Sequence, residues 1–285
     1  MPIADRQRPP PGKLFLDHVS HFVPDLERAG ALLEQLGFAV TPLSAQVTQD
    51  GPAGTSNRCV MLAEGYLEFL TPTANTPNAA RLRKSMRRYR GVHLVCFGTP
   101  TAQEEHERLA AHGFAPQPIV HLERKVEGGR KVRFSVVRAA SGKMPEGRVQ
   151  YVEHLVPEAI WRPQHLRHAN GVLGVAAAYV VAANPVRTAA RWARFMGGLP
   201  RREGSLVSLP TDRGKVLIGR RAQIKRLLGA APPSPGVAGY ALACRDPQAF
   251  ARRCRKAGLK VNRHLAVVLP RALGGAWRLV RHATV

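Results

Sequence analysis

Two histidines and two glutamates stand in matching contexts in the first half of the chain. His18 lies in LDHVSHF and His93 in GVHLVCF, and each of these strand-like segments leads into a helical segment. Glu68 lies in YLEFL and Glu153 in YVEHL, which are the last β-rich segments of two successive units. Two imidazoles and two carboxylates suit one divalent transition metal such as Zn, Ni, Fe or Mn. The four side chains are therefore predicted to meet in one site.

The alternation of side chains along a strand decides which neighbouring histidines belong to that site. Residues at odd spacing on a strand point to opposite faces of the sheet. His18 and His21 are therefore predicted to face opposite ways, as are Glu153 and His154. The match between the two units selects His18 and Glu153 for the shared cavity, and His21 and His154 are interpreted as packing or outward-facing residues.

The elements that would position these residues recur four times along the chain. In each copy a β-rich segment leads into a helix that starts at an Asp, Asn or Thr next to proline and ends at glycine, and short β-rich segments follow. The starts are Pro24-Asp25, Thr99-Pro100, Asn184-Pro185 and Asp246-Pro247. Such residues cap the first N–H groups of a helix, and glycine suits its end. The sequence predicts an α+β protein of four βαβββ units, which should pair into two domains because one unit leaves a sheet face bare.

The boundary between the two pairs is predicted in HLVPEAIWRPQHLRHANG, where prolines and histidines interrupt the pattern. This gives one domain over residues 14–158 and a second over residues 168–285. In the second pair, Ala178 and Ala238 stand at the histidine positions, and Leu217 stands near a glutamate position. The first pair is therefore predicted to carry the site, and the second is predicted to be a scaffold without ligands.

These repeats, with the residues LDH, YLEFL, GVHLV and YVEHL, resemble the vicinal oxygen chelate superfamily and especially its glyoxalase-like members. The resemblance implies that His18, Glu68, His93 and Glu153 bind one divalent metal in the cup between paired units. It also implies a lyase or isomerase reaction on a small oxygen-bearing substrate, with the metal as a Lewis acid. Glu153, and after it Glu68, would be the carboxylate that moves a proton.

The resemblance leaves two other functions open. Extradiol dioxygenases of the superfamily use two histidines and one glutamate around iron, a pattern that His18, His93 and Glu153 would satisfy. Other members bind small drugs in the same cup without catalysis and confer resistance. Requirements for iron and O₂ would identify the first function, and a chain that binds no metal would favour the second.

A strong positive charge is the unusual feature of the composition. The chain has 43 Lys and Arg against 19 Asp and Glu, a net charge of +24. The arginines are spread over the whole length without a known nucleic-acid-binding motif, so nucleic acid is not predicted as a partner. The basic segment before His93 includes Arg87 and Arg88, which are predicted to recognise a carboxylate or phosphate of the substrate if the segment covers the cup.

Cysteine content and hydropathy bear on the cellular compartment. The four cysteines have no CxxC spacing and are interpreted as reduced, mostly buried thiols. The longest apolar run is too short to span a bilayer. The sequence therefore predicts a cytoplasmic protein that does not contact membranes, and it leaves the oligomeric state open.

Overall fold

The computed structural model describes residues 3–125 and 129–283, which form 15 strands and six α-helices. The first eight strands are β1 (Phe15–Phe22), β2 (Ser44–Thr48), β3 (Gly51–Met61), β4 (Tyr66–Pro72), β5 (Gly91–Gly98), β6 (Val120–Lys125), β7 (Lys131–Arg138) and β8 (Arg148–His154). The next seven are β9 (Val172–Val181), β10 (Arg201–Glu203), β11 (Leu206–Pro210), β12 (Lys215–Gly219), β13 (Gly236–Cys244), β14 (Ala266–Val268) and β15 (Ala276–Arg281). The helices are α1 (Leu26–Gln35), α2 (Pro77–Arg88), α3 (Ala102–Ala111), α4 (Pro185–Met196), α5 (Arg221–Leu228) and α6 (Pro247–Lys256).

The strands form one closed barrel and one open sheet. The barrel has the order β1-β4-β3-β2-β6-β7-β8-β5, and the sheet has the order β10-β11-β12-β9-β13-β15-β14. In both, the first strand of each unit runs parallel to the last strand of the same unit and antiparallel to the first strand of the next. The predicted α+β fold of paired βαβββ units is confirmed.

The fourth unit departs from the predicted pattern. After α6 it has only β14 and β15 within the described residues, and an isolated bridge between Val261 and Val267 takes the place of a third strand. The second sheet therefore has seven strands and stays open, whereas the first has eight strands and closes.

The unit helices begin where the sequence places their caps. Asp25 accepts a hydrogen bond from the backbone N–H of Arg28, and Asn184 and Asp246 cap α4 and α6 in the same way. The second unit differs, because the Thr101 side chain caps nothing at the start of α3. None of the helices in residues 3–125 and 129–283 is long and apolar enough to cross a membrane.

The barrel and the open sheet pack together over one continuous apolar core. Leu16 and Val95 from the barrel belong to the same buried cluster as Val175 and Tyr240 from the sheet. His21 lies fully buried at this interface, where its Nδ1 contacts the Leu273 carbonyl at 3.0 Å and its Nε2 contacts the Tyr240 hydroxyl at 2.9 Å. The interpretation of His21 as a packing residue agrees with these contacts.

The two sheets differ in what fills their concave faces. Helix α5, between the third and fourth units, buries Ile224 and Leu228 in a cluster with Tyr179, Leu217 and Ala238 from the sheet. Helix α2 occupies the corresponding place between the first and second units, but its buried residues near the barrel are only Ala79 and Leu82. The second sheet is therefore plugged, while the barrel keeps a cavity.

Candidate active site

The cavity lies inside the barrel and is called the cup below. It encloses about 570 Å³ of space free of protein atoms, including the part open to solvent. The polar and charged residues that line it are His18, Gln46, Asn57, Tyr66, Glu68, Glu123, Arg138, Arg148 and Gln150. Apolar residues from β4 to β8 complete the wall.

The strand register shows which residues of the two units are equivalent. His18 pairs with Tyr66 on the neighbouring strand of the first unit, whereas Leu94 pairs with Arg148 in the second. Tyr66 and Arg148 are therefore equivalent, and the residues two positions after them, Glu68 in β4 and Gln150 in β8, are equivalent as well. The cup therefore has His18 and Glu68 from one unit, and leucine and glutamine at the matching places of the other.

His93 and Glu153 do not line the cup, so the structure does not bring the four predicted ligands together. His93 is one residue before the cup position, at a register shift between β1 and β5. Its ring stacks between Phe22 and Tyr89, and its Nε2 contacts the Tyr89 carbonyl at 3.0 Å. Burial lowers the pKa of His93 to about 4. It is a neutral packing residue outside the cavity.

Glu153 faces away from the cup because it follows Val152, which lines the cup, by one residue. Its Oε2 accepts a hydrogen bond of 3.0 Å from the backbone N–H of Ala102, the first residue of α3. A carboxylate at this place satisfies a free N–H and complements the helix dipole. Glu153 thus caps α3 in place of the Thr101 side chain, which forms no capping hydrogen bond.

A β-bulge brings Asp17 beneath the floor of the cup, where it contacts His18 but does not line the cavity itself. The pairing of β1 with β5 shifts between Leu16 and His18, so Asp17 is an extra residue in β1. Its carboxylate contacts His18 Nδ1 at 2.6 Å and His154 Nε2 at 3.1 Å, and it has no solvent exposure. His154, interpreted from the sequence as packing or outward-facing, is a buried packing residue of this inward-facing cluster, where its ring contacts Trp161.

This cluster holds His18 in its charged form. Burial alone would lower the pKa of His18, but its contacts with the Cys96 sulfur and the Asp17 carboxylate raise it to about 10. Burial also raises the pKa of the Cys96 thiol, which is therefore uncharged near neutral pH. Asp17 is then the anion that balances His18, and despite its burial the two histidines hold its pKa far below the usual range.

Glu68 stands beside His18 with both oxygens oriented by neighbours. Its Oε2 accepts a hydrogen bond of 2.5 Å from the Ser20 hydroxyl and lies 4.0 Å from His18 Nε2. Its Oε1 accepts hydrogen bonds from Asn57 Nδ2 at 2.7 Å and from Gln46 Nε2 at 3.3 Å. A cationic imidazole and an oriented carboxylate therefore stand next to each other on the wall of the cup, where both could contact one substrate.

Arg138 and Arg148 form the opposite wall of the cup. Arg138 donates to Gln150 Oε1, at 3.3 Å, and Arg148 donates to Asn78 Oδ1, at 3.2 Å. In the described part of the chain neither guanidinium forms an ion pair with a carboxylate. Burial and mutual repulsion of the arginines lower the pKa of Arg138 to about 10 and that of Arg148 to about 9. Both remain charged at neutral pH and face the cavity, where Glu68 lies too far away to form an ion pair with either of them in the described structure.

The predicted substrate-binding residues Arg87 and Arg88 do not reach the cup. Arg87 lines a shallow groove on the other side of α2, together with Pro24 and Tyr89. Arg88 donates to the Pro235 carbonyl at 2.6 Å and to the Pro145 carbonyl at 3.3 Å. The arginines at the cup come instead from β7 and β8.

The side chains in the cup do not fit a resident divalent metal. Among the described residues there is no group of three or more His, Cys, Asp or Glu side chains that could hold one. His18 and Glu68 are the two metal-type ligands of the predicted set that remain, and the Glu68 oxygens already accept three hydrogen bonds. Arg138 and Arg148 would also repel a cation in the same cavity. No step of the reaction is therefore assigned to a metal.

Sequence reasoning missed Asp17, His154, Arg138, Arg148 and Gln150. Four of them carry a signal that alternation reveals once the phase of the strand is known. In RVQYVEHL the even-numbered residues point inward: Arg148, Gln150 and Val152 line the cup, and His154 contacts Asp17. Arg138 faces the cup from the end of VRFSVVR in the same alternating way. Asp17 depends on the bulge, which has no signal in the hydrophobic pattern.

Comparison with known proteins places this fold in a family. The family model described as a glyoxalase-like domain matches residues 16–196, which include the whole barrel and the start of the second sheet. No curated protein matches the sequence.

Solved structures share the fold at low sequence identity. A hypothetical protein from Staphylococcus aureus superposes with a TM-score of 0.65 and 12% identity, covering 94% of this chain and 100% of that one. A mutant of 4-hydroxymandelate synthase from Streptomyces coelicolor superposes with a TM-score of 0.59 and 14% identity. That match covers 96% of this chain and 94% of the synthase.

A fusion of a xylose isomerase-like TIM barrel with a 4-hydroxyphenylpyruvate dioxygenase gives a TM-score of 0.58 and 13% identity. That match covers 89% of this chain and 40% of the fusion protein. Together with the repeated βαβββ units and the cup, the family match shows that this chain belongs to the glyoxalase-like domain family and has the vicinal oxygen chelate fold.

Proposed function

We propose that the chain is an acid–base enzyme of the lyase or isomerase type, acting on a small anionic, oxygen-bearing molecule bound in the cup. The division of the cup carries this proposal. One unit supplies a cationic imidazole and a carboxylate 4.0 Å apart, and the other supplies two guanidinium groups without carboxylate partners among the described residues. Guanidinium groups bind carboxylates and phosphates with paired hydrogen bonds, so the substrate is an anion.

In this proposal Arg138 and Arg148 hold the substrate carboxylate, and His18 Nε2 donates to an oxygen on the adjacent carbon. Glu68 removes a proton from the next carbon, and the electron pair of the broken C–H bond moves onto that oxygen as an enediolate or enolate. The positive charge of His18 stabilises the new negative charge. Glu68 then returns the proton to the same carbon or a neighbouring one, which gives isomerisation or prepares an elimination.

Asp17 is a positioning residue in this scheme. Its hydrogen bond to His18 Nδ1 directs the other nitrogen, Nε2, into the cup and keeps the ring charged. The Tyr66 ring stacks on His18 with centroids 4.1 Å apart, and its hydroxyl lies 3.4 Å from Nε2. These contacts restrain the imidazole before substrate binds.

The experiment follows exchange of carbon-bound protons with solvent deuterium by NMR. Pyruvate and 4-hydroxyphenylpyruvate are suitable probes, because each has exchangeable protons next to a carbonyl beside a carboxylate. The wild type, treated with a chelator, should exchange these protons faster than buffer does. Glu68→Gln should lower that rate by about 10²- to 10⁴-fold, the usual contribution of a general base.

Glu123→Gln is the matched control, because Glu123 lines the cup but forms an ion pair with Lys131 at 2.7 Å. It should keep the exchange rate. Equal rates for Glu68→Gln and the wild type would contradict the proposal. Proton exchange that occurs only after Zn, Ni or Mn is added would show that the enzyme is a metal-dependent lyase or isomerase. Consumption of O₂ with iron and a catechol would instead favour the dioxygenase, and binding without exchange would favour a small-molecule-binding protein.

A further inference from the structure

A second cavity adjoins the cup and is strongly basic. It holds about 1050 Å³, including its open side, and lies between α2 and the connection from β7 to β8. Arg81, Lys84, Arg88, Arg138 and Arg148 line it, and no carboxylate does. This cavity is called the basic groove below.

The groove and the cup adjoin each other. Arg138 and Arg148 line both cavities, so their guanidinium groups stand at the boundary between the two. Arg81, Lys84 and Arg88 follow one another at spacings of three and four residues, which places them on one face of α2. That face therefore extends the cationic wall of the cup outward to solvent.

The surrounding chain leaves these charges available for a ligand. Arg81 and Lys84 are exposed, and no ion pair involves them in the described part of the chain. Glu146, the one acidic residue between β7 and β8, is buried and turned away to Arg191 and Trp192. The Arg88 side chain donates to two backbone carbonyls, which hold it in place at one end of the groove.

We infer that the basic groove binds a phosphate or diphosphate group at the far end of an elongated substrate whose reacting end lies in the cup. The inference rests on the proposed function for the reacting end. Two arginines suffice for one carboxylate, but five cations around one short groove match the several oxygens and the higher charge of phosphate esters. The groove is concave and bounded by a single 12-residue helix, so its occupant is a small molecule rather than a polymer.

Calorimetric titration with inorganic pyrophosphate tests this inference at fixed ionic strength. Arg81→Gln/Lys84→Gln removes two charges from the groove without altering a residue of the cup. Arg255→Gln/Lys256→Gln removes the same two charges from an exposed part of α6 and is the matched control. The dissociation constant for pyrophosphate should rise at least about tenfold in the first variant and stay within about twofold of the wild type in the second.

Equal weakening in the two variants would overturn the inference, because it would show attraction by the overall charge alone. No weakening in either variant would overturn it as well. A single-stranded oligodeoxynucleotide that binds more tightly than pyrophosphate, through the same two residues, would replace it with nucleic-acid binding. The proton-exchange comparison of Glu68→Gln with Glu123→Gln fails or succeeds independently of these titrations, so failure of the groove and failure of the proposed function are distinguishable.

Discussion

Replacing Asp17 with asparagine tests the charged cluster beneath the floor of the cup. Asparagine keeps the shape of the side chain but removes the charge that His18 Nδ1 contacts at 2.6 Å and His154 Nε2 at 3.1 Å. Breaking a buried charge pair on one side costs about 3–5 kcal/mol. Because the amide can still accept from one histidine and donate to the other, we expect the Asp17→Asn variant to lose about 2–4 kcal/mol of unfolding free energy near pH 6.

The pH dependence of stability separates this mechanism from simple loss of packing. The folded-state pKa of His18 is raised from 6.5 to about 10. Its stabilisation is therefore fully present below pH 6.5 and is lost as the pH rises toward about 10. One charge-assisted hydrogen bond supplies about 1.5–3 kcal/mol. We expect the wild type to lose about 2–3 kcal/mol over this range.

Urea unfolding followed by tryptophan fluorescence measures this slope, since the Trp161 ring contacts His154 with centroids 4.9 Å apart. The Asp17→Asn variant should show a flatter profile between about pH 6 and pH 10. Asp212→Asn is the control, because Asp212 is partly exposed, pairs with Lys13 at 3.0 Å and accepts a hydrogen bond from the Leu14 backbone N–H at 2.9 Å. Its profile should run parallel to that of the wild type. A wild-type profile without this slope, or an equal slope in Asp17→Asn, would refute the reasoning.

Four further substitutions distinguish residues of the cup from residues that only support it. Arg138→Met should weaken oxalate binding at least about tenfold by calorimetry without lowering the unfolding free energy, because it removes a cation that has no carboxylate partner in the described structure. His93→Ala should cost about 2–4 kcal/mol in urea unfolding yet leave oxalate affinity within about twofold, and a large loss of affinity would bring His93 back to the site. Glu153→Gln should cost about 0.5–1 kcal/mol through the start of α3, also by urea unfolding, and unchanged stability would argue against its capping role. Ile224→Ala should lower the unfolding free energy by about 2–5 kcal/mol, because it leaves a cavity between α5 and the second sheet. A loss below about 1 kcal/mol by the same assay would show that α5 does not pack closely on this sheet.

The fold was accessible from the sequence because its signals are local and repeated. The caps at Asp25, Asn184 and Asp246 mark helix starts in three of the units, and each one appears where the sequence predicts it. The paired arrangement follows from the need to bury a sheet face. The loss of one strand in the fourth unit and the plugging helix α5 have no comparable signal, because both depend on how the second sheet is filled.

The site was only partly accessible, because a one-residue shift in register reverses the face of every side chain on a strand. The contexts of His18 and His93 look alike, but the strand register makes Leu94, and not His93, the equivalent of His18 in the second unit. The same shift turns Glu153 outward to α3. The bulge that turns Asp17 inward arises from pairing between distant strands, and a single strand does not encode it.

Thermal unfolding with oxalate and with divalent metals, each added separately, tests the central claim that the cup is an anion site with an acid–base pair. Oxalate, with a chelator present, should raise the Tm of the wild type by about 3–8 °C at saturation, and Arg138→Met should abolish most of this rise. Zn²⁺, Ni²⁺, Mn²⁺ and Fe²⁺ should produce no comparable rise. A rise with one of these metals that is lost in His18→Ala, together with no response to oxalate, would contradict the account.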